Sequence, residues 1–183
     1  MRKLSAIFAL VFIFCVGAFA QDHSKAEVFG GYQLTSIDDS IDGNGRVALN
    51  GWDAALTGYI KPHLGITADI SGAYGNPNFN STGGLDVSFK NHYFLFGPTY
   101  RTSATDRASV FAHALFGAAH SNGNFAGFTS TDNSFAMALG GGLDLKANRN
   151  VSFRVGQLDY LYTRFTGVKQ NNFRYSAGLV FHF

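Results

Sequence analysis

The chain has 183 residues, with Lys+Arg 14 against Asp+Glu 12, and Gly 22 and Phe 19 against three Pro and one Cys. Charged residues are 14% of the total, well below the usual quarter, and no basic run offers contacts to nucleic acid phosphates. The length suits one domain, and a lone cysteine excludes a disulfide framework.

Arg2 and Lys3 precede an apolar stretch, Leu4 to Phe19, and Ala18-Phe19-Ala20 supplies small residues at the spacing signal peptidase reads. The expectation is a signal peptide over residues 1–20, cleaved before Gln21, leaving residues 21–183 as one domain. An uncleaved anchor competes, but the stretch is short for a spanning helix. Cys15 lies inside this segment, and Phe12-Ile13-Phe14 before it lacks the small residues of a lipoprotein site. No later apolar stretch is long enough for a membrane helix, a test that membrane strands escape.

Beyond the leader the period is two. Ala26 to Ser36 sets Val28, Gly30, Tyr32 and Leu34 against Glu27, Phe29, Gly31, Gln33 and Thr35. Residues 37–50 are polar and read as a long loop; Asp38, Ser40 and Asp42-Gly43 echo a calcium loop but place Leu49 where a bidentate acid is needed. Gly51 to Lys61 sets Trp52, Ala54, Leu56, Gly58 and Ile60 against Asp53, Ala55, Thr57 and Tyr59, and Lys61-Pro62-His63 turns the chain. Leu64 to Gly75 alternates most clearly, with Asp69 and Ser71 on its polar side. Residues 76–86 form a second long loop, and Val87 to Arg101 a fourth strand, where Pro98 predicts a bulge or a strand end.

Residues 103–107 turn, Ser109 to Ala119 is the fifth strand, and residues 121–133 read as a third long loop. Ser134 to Lys146 sets Phe135, Met137, Leu139, Leu143 and Leu145 against small residues and Asp144. Val151 to Phe165 slips phase: Val151, Phe153 and Val155 alternate, then Leu158, Tyr160 and Tyr162. A bulge near Gly156-Gln157 would put both Arg154 and Asp159 on the polar face; without it Arg154 must snorkel outward. Asn171 to Phe183 closes the chain, with Phe173, Tyr175, Leu179, Phe181 and Phe183 on one face and Arg174, Ser176 and His182 on the other.

Eight strands of about membrane-spanning length, an even count, and long loops segregated from short turns predict an eight-stranded antiparallel up-and-down transmembrane β-barrel with lipid outside. Trp52, Tyr74, Tyr160, Tyr162 and Tyr175 fall toward the long-loop end, and Tyr100, Phe153, Phe181 and Phe183 toward the turn end, as two interfacial belts would. Gly51-Trp52-Asp53-Ala54-Ala55-Leu56-Thr57-Gly58-Tyr59 with Pro62 to Asp69, Tyr93 to Pro98, Gly140 to Asp144, Arg154 to Tyr160 and the terminal Phe resemble the barrel domain of the outer membrane protein A type. The resemblance implies a Gram-negative outer-membrane protein whose closing strand, through Phe181 and Phe183, is recognised by the barrel assembly machinery. Larger members of that type carry a periplasmic peptidoglycan-binding domain after the barrel; this chain ends at the last strand, so that activity is not carried over.

The polar faces collect Asp53, Asp69, Asp144, Arg154, Asp159 and Arg174, expected to form a paired lumen network with Arg154 against Asp159. The six histidines show no metal-ligand spacing, and His120 and Ser121, being adjacent, would point to opposite faces. Neither a metal nor a cofactor is expected, and no nucleophile, base and orienting acid are seen to assemble. The sequence thus predicts a structural, barrier or surface-interaction protein in contact with outer-membrane lipids. Its long loops would lie outside, and its turns and C-terminus in the periplasm; it names no extracellular partner. A lipid-modifying outer-membrane enzyme and a soluble lipocalin-like carrier are the alternatives.

Overall fold

The computed structural model describes residues 25–39, 45–75, 88–125, 128–165 and 168–183. The expected leader and the calcium-loop echo lie outside the described residues or side chains. Eight strands follow in order: β1 (Ala26–Asp39), β2 (Gly45–Lys61), β3 (Leu64–Gly75), β4 (Ser88–Thr105), β5 (Ala108–Phe125), β6 (Phe128–Lys146), β7 (Val151–Phe165) and β8 (Val168–His182). Each pairs antiparallel with the next, and β8 returns to β1 to close the barrel. Closure leaves no unpaired sheet edge, which strands in lipid require.

Alternation assigns the faces as expected. Phe94, Phe96, Phe135, Leu139 and Leu158 point outward and are exposed, while Asp53, Asp69, Asp144, Asp159 and Arg174 are buried to within 2%. An apolar exterior around a polar interior is the reverse of a soluble carrier barrel. The lumen is nevertheless not polar throughout. Leu49, Leu95, Leu115 and Leu161 pack inside with Ala73, Tyr93 and Ala136. These residues occupy the polar phase of their strands and form an apolar layer on the side away from the short turns.

The strands are longer than the sequence predicts. β1 and β2 stay in register to Asp39↔Gly45, and β5 and β6 to Phe125↔Phe128, so most of residues 121–133 are ladder rather than loop. The polar segments lack the apolar stripe that marks a strand. An antiparallel neighbour already in register nevertheless continues to satisfy their backbone groups. Turns 62–63 and 106–107 and the bend at 147–150 are short, as expected.

Pro98 neither bulges nor ends its strand. It pairs with Ile66 on β3 and points outward, while the pairing with β5 steps from Phe96↔Phe116 to Thr99↔His113 at constant register. Its missing N–H interrupts bonding on one side only. The bulge in β7 does form. Asp144 opposes Arg154 and Leu143 opposes Gly156, leaving Val155 as the extra residue, and the β8 register shifts between Arg154 and Gln157. Val155 points outward, so Arg154 before it and Gln157 and Asp159 after it all face the lumen.

Candidate functional site in the barrel lumen

Two charge clusters stack along the barrel axis. Near the short turns, Glu27 of β1 receives Arg101 Nη1 at 2.5 Å and the Tyr59 hydroxyl at 2.8 Å. Arg101 Nη2 also lies 3.2 Å from Asp144 Oδ2. Arg154 donates Nε to Asp144 Oδ1 at 2.8 Å and Nη1 to Gln157 Oε1 at 2.8 Å. Its guanidinium is held between the rings of Phe29 and Phe111, 4.3 and 4.1 Å from their centroids. Two cations thus face two carboxylates, all four side chains largely buried.

Above them, Gln157 Nε2 donates to Asp159 Oδ2 at 2.8 Å and joins the two clusters. Arg174, fully buried on β8, donates Nε to Asp159 Oδ2 at 2.8 Å. It donates Nη1 and Nη2 to the two oxygens of Asp69, each at 3.0 Å, and Nη1 also to Ser71 at 2.9 Å. The fork of the guanidinium suits this bidentate grip on Asp69. His113 Nε2 meets Asp159 Oδ1 at 2.8 Å, and Ser176 donates to Asp53 Oδ2 at 2.7 Å.

All six lumen residues singled out from sequence therefore lie inside, but the pairing differs. Arg154 pairs with Asp144 rather than Asp159, because those two are direct cross-strand neighbours between β6 and β7. Asp159 stands opposite Arg174 between β7 and β8 and takes that cation instead. Sequence reasoning left Glu27, Arg101, Gln157 and Ser176 out of the network, while His113 and His182, which it assigns to a polar interior or an interface, meet Asp159 and Glu27 inside. Each sits on the polar phase of its strand, so the signal was present, but two-residue periodicity gives no cross-barrel partner. The cavity lined by Glu27, Thr57, Tyr59, Thr67, Thr99 and Arg154 has a volume of ≈ 10 Å³, about one water molecule's worth.

One arrangement departs from the sequence reading. Ser152 Oγ lies 2.8 Å from His182 Nε2, and His182 Nδ1 lies 3.0 Å from Glu27 Oε1. A hydroxyl, an imidazole and an acid do line up here. Ser152 is 3% exposed and sits in the ladder between Lys146 and Val180, so the neighbouring backbone N–H groups are committed to strand pairing rather than to an oxyanion. Glu27 is shared with Arg101 and Tyr59. The line serves to orient the Glu27 cluster. His120 and Ser121 part to opposite faces as expected, His120 meeting Asn133 and Ser121 meeting Asn91.

At the seam, Phe181 points outward opposite Val28 and Val151. Phe183 accepts hydrogen bonds from the backbone N–H groups of Lys25 and Ala26 and donates one to Ala26, so the last residue ties β8 to the start of β1. On the outer face Trp52 donates to the Tyr74 hydroxyl at 3.1 Å, and Tyr74 meets His92 at 3.1 Å, a polar-tipped aromatic row.

A closed eight-stranded barrel with lipid-compatible walls and a charged, filled lumen is an integral outer-membrane architecture. Residues 6–181 match the model of the outer membrane protein beta-barrel domain, and the chain belongs to that family. Among solved structures it is similar to Neisserial surface protein A, at 14% identity and a TM-score of 0.70, covering 89% of this chain and 100% of that one. It is also similar to Ail, the attachment invasion locus protein of Yersinia pestis, at 19% identity and a TM-score of 0.60, covering 87% and 99%. A third is OprG of Pseudomonas aeruginosa, at 13% identity and a TM-score of 0.54, covering 88% and 97%. No curated protein matches the sequence.

Proposed function

We propose that this outer-membrane protein is a closed, non-conducting barrel with a structural, barrier or surface-interaction role. The observation that carries this is the continuous bonding of Glu27, Arg101, Asp144, Arg154, Gln157, Asp159 and Arg174 through the lumen. Opening a path for solute would strip partners from several buried charges at once. The long-loop end faces outward and the short turns and C-terminus face the periplasm, as in other barrels of this construction. One similar structure is of an attachment invasion locus protein, and a second structure of it holds the heparin analogue sucrose octasulfate. Adhesion through the outer loops is therefore the form of surface interaction to test first.

Phe181 and Phe183 serve in assembly, as the terminal strand by which the insertion machinery takes the chain. Enzymatic activity is not part of the reading, since the backbone N–H groups beside Ser152 are committed to the strand ladder rather than to an oxyanion. The test is conductance: purified protein in a planar bilayer gives no steady ionic current. A stable open state with solute flux would replace the plug with porin-like transport.

A further inference from the structure

We propose that the short-turn end of the barrel is a ring of cations that binds anionic phospholipid headgroups. Net charge conceals a strong asymmetry between the two ends. Lys25, Lys61, Arg107, Lys146 and Arg149 lie at the short-turn end, all exposed, and among the exposed described residues there only Asp106 opposes them. The long-loop end is close to balanced in sequence, with Arg46, Lys90, Arg164 and Lys169 against Asp38, Asp39, Asp42, Asp86 and Asp132. The nearest lumen acids, Glu27 and Asp144, are buried and already hold Arg101 and Arg154.

The five cations are spaced around the whole rim. Lys25 precedes β1 at the seam, Lys61 enters the β2–β3 turn, Arg107 lies in the β4–β5 turn, and Lys146 and Arg149 belong to the β6–β7 bend. Backbone bonds hold this spacing. Tyr59 donates to the Lys25 carbonyl at 2.9 Å; Arg101 donates to His63, Lys146 to Arg107 and His182 to Asn150, each at 2.8 Å. Each turn is thus tied to the next strand round the barrel, and the ring is ordered before any partner arrives. Among the described residues none of the five cations is in an ion pair, so their charge is open to a partner.

Depth and spread select the partner. Next to the ring the outer wall carries Ile60, Leu64, Tyr100, Leu145, Phe153 and Phe181, all exposed. Long basic side chains beside such an apolar edge lay their stems along it and hold their charge at headgroup depth. A lipid leaflet meets the barrel on every side, which suits cations at all three turns and the seam; a docked protein or a glycan strand would need them gathered on one side. Phosphate is the anion that a phospholipid leaflet offers, and basic residues attract it within a Debye length of the surface. Assigning these lipids to the periplasmic leaflet rests on the orientation proposed above; the binding itself does not.

The test is lipid selectivity in vesicles, where either direction of insertion presents the ring to the same lipids. Spin-labelled phosphatidylglycerol and phosphatidylcholine report how much of each is immobilised at the barrel wall. Wild type should prefer phosphatidylglycerol by about fivefold, the factor that one cation at an anionic surface gives. About 1 M salt should remove that preference. The combined variant Lys61→Gln, Arg107→Gln, Lys146→Gln and Arg149→Gln should keep heat-modifiable mobility and lose the preference, while Lys90→Gln at the other end keeps both. No preference in wild type, or one that survives the salt or the combined variant, would overturn the proposal. The salt arm needs wild type alone, so it decides even where the variant misfolds. Salt-dependent binding to purified peptidoglycan with no lipid preference would also overturn it, in favour of a glycan partner. A membrane-impermeant maleimide on Ala147→Cys in intact cells reads the leaflet separately: no labelling supports the periplasmic side, and labelling overturns the orientation and the leaflet together.

Discussion

At the scale of single residues the lumen is held by charges that have no alternative to one another. Arg174 joins β3, β7 and β8 through Asp69 and Asp159, residues far apart in sequence. Arg174→Met keeps the bulk but leaves two carboxylates without their cation. The variant should lose about 3–5 kcal/mol, the usual result of removing one side of a buried ion pair. Urea unfolding from lipid vesicles, followed by the fluorescence of Trp52, measures it; a loss no larger than that of an exposed turn substitution such as Ala147→Ser would mean that Arg174 is replaceable. Gly140 makes a different demand. A Cβ there would come within 2.0 Å of Asp159 Oδ1 and 2.2 Å of the Leu158 carbonyl. Gly140→Ala must therefore push Asp159 off His113 and Arg174, and it should destabilise the barrel more than Gly58→Ala, where a Cβ meets open space.

At the scale of the strand, one residue of register decides which face meets lipid. Val155 is the extra residue that lets Arg154 and Asp159 both turn inward across the β7 bulge. Deleting it would reverse the faces of Val151 to Arg154, turning Phe153 into the lumen and Arg154 toward lipid. The deletion should abolish heat-modifiable mobility on gels, the sign of a closed barrel; normal mobility would mean that the strand tolerates the slip. The apolar stripe can be tested the same way. Leu139 points outward between Ala114 and Tyr160. Leu139→Arg near the membrane midplane should cost about 2–4 kcal/mol in the same unfolding assay, while Ala147→Arg in the exposed turn costs little.

At the scale of the whole molecule, closure is made by the two ends of the described chain. Backbone bonds between Phe183 and residues 25–26 complete the seam that β1 and β8 form. Deleting Phe183 removes these bonds together with the terminal aromatic. We expect reduced insertion in cells, read as the amount of protein in the outer-membrane fraction. Folding in vitro into preformed vesicles separates the two causes: if that is equally impaired, the seam explains the loss and the assembly role falls. Alkaline washing should leave the protein with the membrane, since its apolar exterior has no soluble counterpart.

Sequence alone determined the barrel. Strand number, facing and closure follow from two-residue alternation, because a face that meets lipid must be apolar along its whole length and every deviation costs free energy locally. The phase slip in residues 151–162 was legible for the same reason, as a break in an otherwise strict pattern. The polar strand extensions were not, because beyond the membrane neither face is constrained and backbone pairing leaves no mark on side-chain type. The partners inside the lumen belonged to the tertiary structure. Periodicity says that Arg154, Asp159 and Arg174 point inward; only the tilt and stagger of eight closed strands decide that Arg154 meets Asp144, that Arg174 spans to Asp69, and that Asp53 takes the Ser176 hydroxyl.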